Sequence, residues 1–450
     1  MNSNYTLFVQ QIHQQYGPKE AELLLGAMQL APRTAIRINP FKPAPVFSQE
    51  EQVAWSKYGR LLGQRPSFTL DPFFHAGAYY VQEASSMFLE FAFQRIEKPI
   101  REEGRALKVL DLCAAPGGKS THLASLISAD DLLISNEILK SRVQVLRDNL
   151  VKWGLLNTHV TNLEPAAFGK IQGFFDLIVI DAPCSGEGLF RRDPAAMEEW
   201  SPEAVDMCSL RQQRIVEDAL PALREGGYLI YSTCTLNQKE DEAVVKHLQS
   251  MGLESVDLDV PADWNLEIPG KGMVRFPFHR TPGEGFFIAV LQKKESSGQR
   301  DGRKIAKLNY VGRAKIAVFA DWLSNFESLS FTNYGSNYYA FPKQHEAWLE
   351  FLVDRKLLFQ AGIQLGELDK RGELIPTHDL AMLAMRAESI QTIELNAEQA
   401  LAYLQKQVFD AGNQKGWYLA TWQGLGLGLM KLLGNRMNNY YPQHLRILHA

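Results

Sequence analysis

The chain has 450 residues, 46% hydrophobic and 22% charged, and its 47 Lys+Arg against 51 Asp+Glu leave a formal net charge of -4. That is globular composition, enough for two to four domains at about 150 residues each. No stretch approaches the roughly 20 consecutive apolar residues of a membrane helix, since even Leu425 to Leu433 is interrupted by Gly426, Gly428 and Lys431.

Gln11, Gln14 and Gln15 stand where a secretory leader would have its apolar core, so a cytoplasmic protein is expected. Four cysteines with no Cys-x-x-Cys spacing exclude a disulfide framework and argue against structural zinc. No metal is expected. A pI near 6.2 carries no global nucleic-acid signature, so a nucleic-acid partner would have to be held by local patches.

In chain order, a helical pattern runs from Tyr5 to Leu30, followed by a short strand at Thr34 to Ile38 closed by Asn39-Pro40. Strand and helix patterns then alternate: strand Lys108 to Ala115, helix Gly118 to Ser128, strand Leu132 to Asn136, helix Leu139 to Trp153, strand Thr158 to Thr161. They continue with strand Phe174 to Ile180, a helix around Ser209 to Leu223, strand Gly227 to Ser232 and a last strand at Gly285 to Leu291. Near-continuous apolar strands separated by helices predict a doubly wound α/β domain with a parallel sheet covered on both faces. Lys293 to Lys304 reads as a polar linker. Beyond it the chain is less regular and aromatic-rich, and residues 411 to 450 carry Lys415, Lys431, Arg436 and Arg446 with no acidic residue. That local charge is where a polyanion contact is expected.

The strand Lys108 to Ala115, ending in Cys113-Ala114-Ala115, runs into Pro116-Gly117-Gly118-Lys119-Ser120-Thr121, a turn that opens a helix. Open α/β sheets bind ligands at such strand ends, where free amides and a helix terminus converge, and Gly117 and Gly118 would let the backbone approach the ligand. Glu137 ends the next strand 19 residues beyond Gly118, the spacing at which an acid accepts ribose hydroxyls. A phosphate-binding P-loop is half imitated by Gly118-Lys119-Ser120, but its first glycine would fall at Cys113, and the dinucleotide glycine pattern is absent as well. An adenosine cofactor without a phosphate chain, such as S-adenosylmethionine, fits best.

Two further strand ends carry thiols, in Asp181-Ala182-Pro183-Cys184-Ser185-Gly186 and in Ser232-Thr233-Cys234-Thr235. Carbon 5 of cytosine is too electron-poor to attack a methyl sulfonium unaided, whereas a thiolate adding to carbon 6 makes carbon 5 nucleophilic. Asp181 would bond the N3/N4 edge of the ring and Lys119 its carbonyl, and a second thiol would assist release. On this reading the sulfurs of Cys184 and Cys234 face each other across a pyrimidine-sized gap, and the residues alone leave open which is the nucleophile. Cys208, in a helical stretch, reads as a small buried hydrophobe.

The stretches Gln82 to Met87 (QEASSM), Leu110 to Lys119 (LDLCAAPGGK), Asp181 to Gly186 (DAPCSG), Ser232 to Thr235 (STCT) and Gly283 to Ala289 (GEGFFIA) together resemble the RNA cytosine-C5 methyltransferases of the Sun type, and the overall layout resembles the bacterial RsmF (YebU) branch that modifies small-subunit ribosomal RNA. The resemblance implies that Cys234 is the nucleophile and Cys184 the thiol that helps release product. It implies an S-adenosylmethionine site formed by Cys113 to Lys119, Glu137, an acid after the third strand and Asp181. That acid is typically Asp; here the segment reads Val-Thr-Asn-Leu-Glu-Pro, so Glu164 is the candidate, with Asn162 as alternative, and Arg142 is expected to brace the region. Gly426 to Tyr441 is similar to the end of a PUA-like RNA-binding domain.

The expected organisation is an N-terminal RNA-binding subdomain at 1–75, a Rossmann-like methyltransferase domain at 76–294, a small α/β module at 305–385 and a PUA-like domain at 386–450. The expected partner is RNA, 16S rRNA or the small subunit first, with tRNA as alternative substrate. The base must leave its stack to reach Cys234. Phe73, Phe74, Tyr79 and Tyr80 are expected to pack in the core rather than to stack on bases. Two other readings are a transferase acting on proteins or small molecules, which gives the two cysteines no joint purpose, and an assembly factor with a vestigial cofactor pocket.

Overall fold

A computed structural model describes residues 3–102, 104–294 and 305–448. Most of the expected linker, residues 295–304, lies outside the described residues. Among the described residues no helix is long and apolar enough to cross a membrane.

The pattern at Tyr5 to Leu30 forms two helices, Ser3–Tyr16 and Pro18–Ala27. Gly17 turns with φ 74°, and Pro18, which has no N–H to donate, can only open a new helix. Phe8, Ile12, Ala21 and Leu24 bury against Phe190, Trp200, Leu236 and Phe278. An antiparallel sheet follows, ordered Glu51–Gln52, Gly59–Leu61, Ala35–Ile38, Tyr79–Val81. Its last strand lies past the boundary expected at residue 75. Tyr79 is fully buried and donates to Asp71 Oδ2 (2.7 Å), while Phe73 packs on Trp422, so these two aromatics belong to the core.

The central sheet is built on five parallel strands, β1 (Lys108–Asp111), β2 (Leu132–Asn136), β3 (Thr158–Thr161), β4 (Phe175–Asp181) and β5 (Leu223–Thr233), in the order β3-β2-β1-β4-β5. Beside β5 lie antiparallel β6 (Met273–Phe276) and β7 (Phe286–Lys293), with β7 next to β5. Short strands at Glu267–Gly270 and Leu253–Ser255 complete it. The sheet is therefore doubly wound, as expected, but mixed rather than parallel throughout. The strand order reverses between β1 and β4, which puts a crevice at their carboxyl ends. β1 stops at Asp111, four residues short of the expected Ala115, because the chain turns at Leu112 toward helix α1 (Gly118–Leu126). Helices α2 (Lys140–Trp153), α3 (Pro202–Ala219) and α4 (Glu242–Ser250) cover the sheet.

Two smaller sheets follow. One pairs Leu329–Tyr334, Asn337–Pro342, Ile363–Leu368 and Leu374–Pro376; the other pairs Thr392–Glu394, Lys415–Trp422, Leu425–Leu433 and Met437–Asn439. The last sheet packs back on the first, since Ile36, Phe73 and Tyr79 share one core with Leu427, Met430 and Tyr441.

Arg37, on the first sheet, joins that unit to α1. It is fully buried and donates to Gln82 Oε1 (2.9 Å), Thr121 Oγ1 (2.6 Å) and Gly118 O (3.3 Å), with its guanidinium 4.4 Å from the Trp153 ring. Burial lowers its pKa to about 9. Thr121 Oγ1 in turn donates to Gly117 O (2.8 Å), so the loop before α1 is held from behind. Arg37→Met would leave Gln82 Oε1 and Thr121 Oγ1 without this donor in a buried setting, and each such loss costs about 1–3 kcal/mol. The expected outcome is a loss of about 3 kcal/mol in denaturant unfolding, with Arg37→Lys recovering only part of it.

Candidate active site

β4 and β5 pair with Asp181 opposite Ser232, so the loops that leave them start side by side. This register brings Cys184 and Cys234 together: their sulfurs are 2.9 Å apart, and Cys234 N donates to Cys184 Sγ (3.3 Å). Both are free, partly exposed thiols. The expected pyrimidine-sized gap between them is not there. The sulfurs touch, because in-register strand ends and the Gly188 N to Cys234 O bond (2.8 Å) draw the two loops into contact. A ring can approach beside the pair, not between its members. The hydrogen bond to the Cys234 sulfur, followed by burial, raises the Cys184 thiol well above its usual range.

Both cysteines open onto a cavity of about 850 Å³ that Cys113, Ala115, Glu137, Arg142, Glu164 and Asp181 also line. The expected cofactor residues thus converge, with distinctions among them. From the loop after β1, Leu112, Cys113 and Ala115 line the cavity. Ala114, Pro116, Gly117, Gly118 and Lys119 stand behind it. Gly117 is required by φ 112°, and a Cβ there would face Leu146 and Asn149 at 3.4 Å; one on Gly118 would face Tyr80 at 3.5 Å. The open sides of both glycines thus face protein neighbours, whereas close approach to a ligand was expected. Lys119 is nearly buried, its Nζ 2.8 Å from Asp181 Oδ1 and 5.0 Å from the centre of the Phe286 ring, so it supports Asp181 instead of reaching toward a base. Ser232 Oγ donates to the same Asp181 oxygen (2.8 Å).

Glu137 accepts from Leu139 N (2.8 Å), and its other oxygen lies 3.5 Å from Arg142, which donates to Ala115 O (2.6 Å). Although exposed, Arg142 braces strand end and loop together. Asn162 is tied by its side-chain amide to Glu137 O and Ile138 O, whereas Glu164 faces the cavity. The donor set fits an adenosine: an acid for the ribose at Glu137, a second at Glu164, and carboxylate Asp181 near the thiols for a cationic centre. Burial shifts the Cys113 thiol upward. Among the described residues no cluster of His, Cys, Asp or Glu could hold a metal ion.

Sequence reasoning missed the carboxylates beneath the cysteine loops. Glu187 is buried and accepts from Leu236 N, Asn237 Nδ2, Trp200 Nε1 and, from the first helix, Gln11 Nε2. Glu240 accepts from Ser185 N (3.0 Å), Ser185 Oγ, Gln212 Nε2 (2.7 Å) and Asn237 Nδ2 (2.8 Å), and burial raises its pKa. Nothing in the run Asn237 to Glu242 distinguishes Glu240 from a solvated acid. Gly188 has no room for a side chain: a Cβ would lie 2.1 Å from Gly285 O.

Asp111, at the end of β1, is buried with Ser120 Oγ donating to it (2.6 Å), and burial raises its pKa from 3.8 to about 7. The folded state therefore holds this proton where the unfolded chain has lost it, so stability present at low pH is lost as pH rises. Asp111→Asn should show it: the wild type loses stability relative to the variant between about pH 4 and 7, and the difference is constant above, as read by urea unfolding across pH.

The sequence profile described as 16S rRNA methyltransferase RsmB/F matches residues 99–292. The N-terminal domain of 16S rRNA methyltransferase RsmF matches 6–84, and the methyltransferase RsmF PUA domain matches 390–447. Ribosomal RNA small subunit methyltransferase F of Aliivibrio fischeri is 33% identical over 82% of this chain and 79% of its own length. That of Escherichia coli O139:H28 is 30% identical over 82% and 78%. Among solved structures, a methyltransferase homologue from Pyrococcus horikoshii superposes with a TM-score of 0.54 at 28% identity, covering 64% of this chain and 94% of the other. NSun6 from the same organism, solved with SFG, superposes at 0.53 and 19% identity, covering 64% and 98%, and shares the fold. Matched in order from its first helices to its last sheet, the chain belongs to the RsmF family of small-subunit ribosomal RNA methyltransferases, enzymes that use S-adenosylmethionine.

Proposed function

We propose that this protein forms 5-methylcytosine in 16S rRNA through a covalent bond between Cys234 and carbon 6 of the target base. The observation that carries the reading is the contact between two free thiols, 2.9 Å apart, at the mouth of the cofactor-sized cavity. A transferase with any other acceptor gives that pair no joint purpose.

S-adenosylmethionine supplies the methyl group, and Glu137, Glu164, Asp181 and the backbone from Cys113 to Ala115 would hold it. The remaining work falls to this chain's own side chains. The sulfurs are in hydrogen-bond contact and either can donate to the other; the nucleophile is assigned to Cys234, and the proton to Cys184, on the resemblance of the Ser232 to Thr235 and Asp181 to Gly186 stretches. Cys234 adds to carbon 6, the ring's electrons move to carbon 5, and carbon 5 takes the methyl. Asp181, held by Lys119 and Ser232, accepts the N4–H of the ring and orients the base beside the thiol pair, while the electrons displaced by addition leave the ring through carbon 5 into the new bond to the methyl group. A base then removes the carbon 5 proton, the carbon–sulfur bond breaks, and Cys184 is placed to return a proton to the departing thiolate. The base enters beside the thiol pair after leaving its stack.

Cys234→Ala should abolish methyl transfer while leaving S-adenosylmethionine affinity within about twofold of wild type, since binding and chemistry use different groups; substantial residual transfer by the variant would remove Cys234 from the nucleophile role. Cys184→Ala should instead accumulate a protein–RNA adduct that survives a denaturing gel. If none forms while transfer continues, Cys184 has no part in release. Bisulfite mapping of 16S rRNA from cells with and without the protein identifies the cytosine.

A further inference from the structure

Two of the stretches that define the sequence pattern, Gln82 to Met87 and Gly283 to Ala289, take no part in lining the cofactor cavity. In the fold they lock into each other. Glu83 accepts from Ser85 N (2.7 Å), Ser86 N (2.8 Å) and Glu284 N (2.8 Å), and Ser85 Oγ donates to Glu284 O (3.0 Å). A Cβ on Gly283 would lie 2.1 Å from Glu83 Oε1, which is why glycine stands there. The interlocked pair lines the smaller of two adjoining hollows, of about 460 and 510 Å³, that share Ala31 and Arg33 and make one groove; Phe278, His279, Thr281 and Pro282 continue the wall along the larger. The helix Pro18–Ala27 and the segment after it form the opposite wall.

Three exposed guanidinium groups line this groove, those of Arg33, Arg65 and Arg192. Two of its three acids are engaged, Glu83 by three backbone N–H groups and Glu284 by Arg191 (3.0 Å), while the third, Glu22, is exposed on the helical wall of the larger hollow. Among the described residues Arg65 and Arg192 are in no ion pair, and Arg33 pairs with an exposed Glu51 (2.8 Å), a solvent-screened contact that yields readily to a phosphate. The groove wall reaches the thiol loops at Gly285, next to Glu284, because the Gly285 carbonyl packs on Gly188, whose N donates to Cys234 O. Arg192 follows Cys184 on one loop, and that loop is tied to Cys234 O through Gly188 N (2.8 Å). A base delivered to Cys234 brings its neighbours along, and their phosphates need a cationic path away from the site.

Building on the proposed function, we infer that the groove is the track for the single-stranded RNA flanking the target cytosine, with Arg33, Arg65 and Arg192 contacting successive phosphates. Leu23 and Leu30, exposed on the helical wall, offer apolar contact to the bases.

The test is the triple variant Arg33→Gln, Arg65→Gln, Arg192→Gln, titrated with naked 16S rRNA and with small subunits over a series of KCl concentrations. Loss of three contacts should reduce the slope of log Kd against log salt by about 2, at ~0.7 per single-strand phosphate. S-adenosylmethionine affinity and the thermal midpoint should be unchanged, and the triple Arg→Lys variant should restore the slope. If the triple Gln variant does not fold, Arg192→Gln alone should reduce the slope by ~0.7. An unchanged slope on naked RNA in a folded variant overturns the inference. So does a change confined to the subunit, which would mark the groove as a protein contact. Because the readout is binding, a wild type that binds RNA but methylates no cytosine would sink the proposed function and leave the groove standing, whereas an unchanged slope with normal wild-type transfer removes the groove alone.

Discussion

Two carboxylates with almost no exposure, Glu187 and Glu240, receive hydrogen bonds from both cysteine loops at once, and the position of each sulfur follows from that. Glu240 takes N–H and O–H from Ser185 on one loop and an amide from Asn237 on the other. Glu187 does the same between its own loop and Leu236 and Asn237. Hydrogen bonds to a charged acceptor contribute about 1.5–3 kcal/mol each, against a large desolvation penalty for burying the acid, so the net return is less in stability than in placement. Satisfied networks of this kind hold a reactive group within a narrow range of positions, which a chemical step between two sulfurs and a ring requires.

A second constraint acts from the opposite side of the crevice. Arg37 crosses from the first sheet to α1 and engages Thr121, which holds Gly117. The first helix also reaches the loops that carry the thiols, through Gln11 on Glu187 and Gln15 on Leu236 O. The N-terminal part is therefore built into the support of both loops, and its separation from the central sheet is one of sequence more than of structure.

The doubly wound core was legible because β2 and β4 are apolar almost without interruption, and because Gly-rich and Cys-bearing turns follow at the predicted strand ends. The convergence of Glu137, Asp181, Cys184 and Cys234 on one cavity follows from topology alone. What stayed hidden has identifiable causes. β6 escaped because Arg275 breaks its apolar run; in the fold that side chain is buried among Glu242, Glu267 and Asp241. The long N-terminal helix was drawn through Gly17-Pro18, where local turn chemistry overrides periodicity. Sequence carries no sign that Asp181 and Phe286 enclose the Lys119 ammonium, so from the residues alone it points to the substrate. The contact between the sulfurs depends on strand register, which a sequence pattern does not encode at the scale of a few ångströms.

Residues near opposite ends of the chain, Ile36 and Tyr79 on one side and Met430 and Tyr441 on the other, fill a single core. The last sheet is consequently no swinging appendage: it is bolted to the same frame that, through Arg37, carries the cofactor loop. Any nucleic acid gripped on that sheet and at the thiols is spanned by a caliper of fixed opening, so the protein would select its target by distance as well as by the identity of the base.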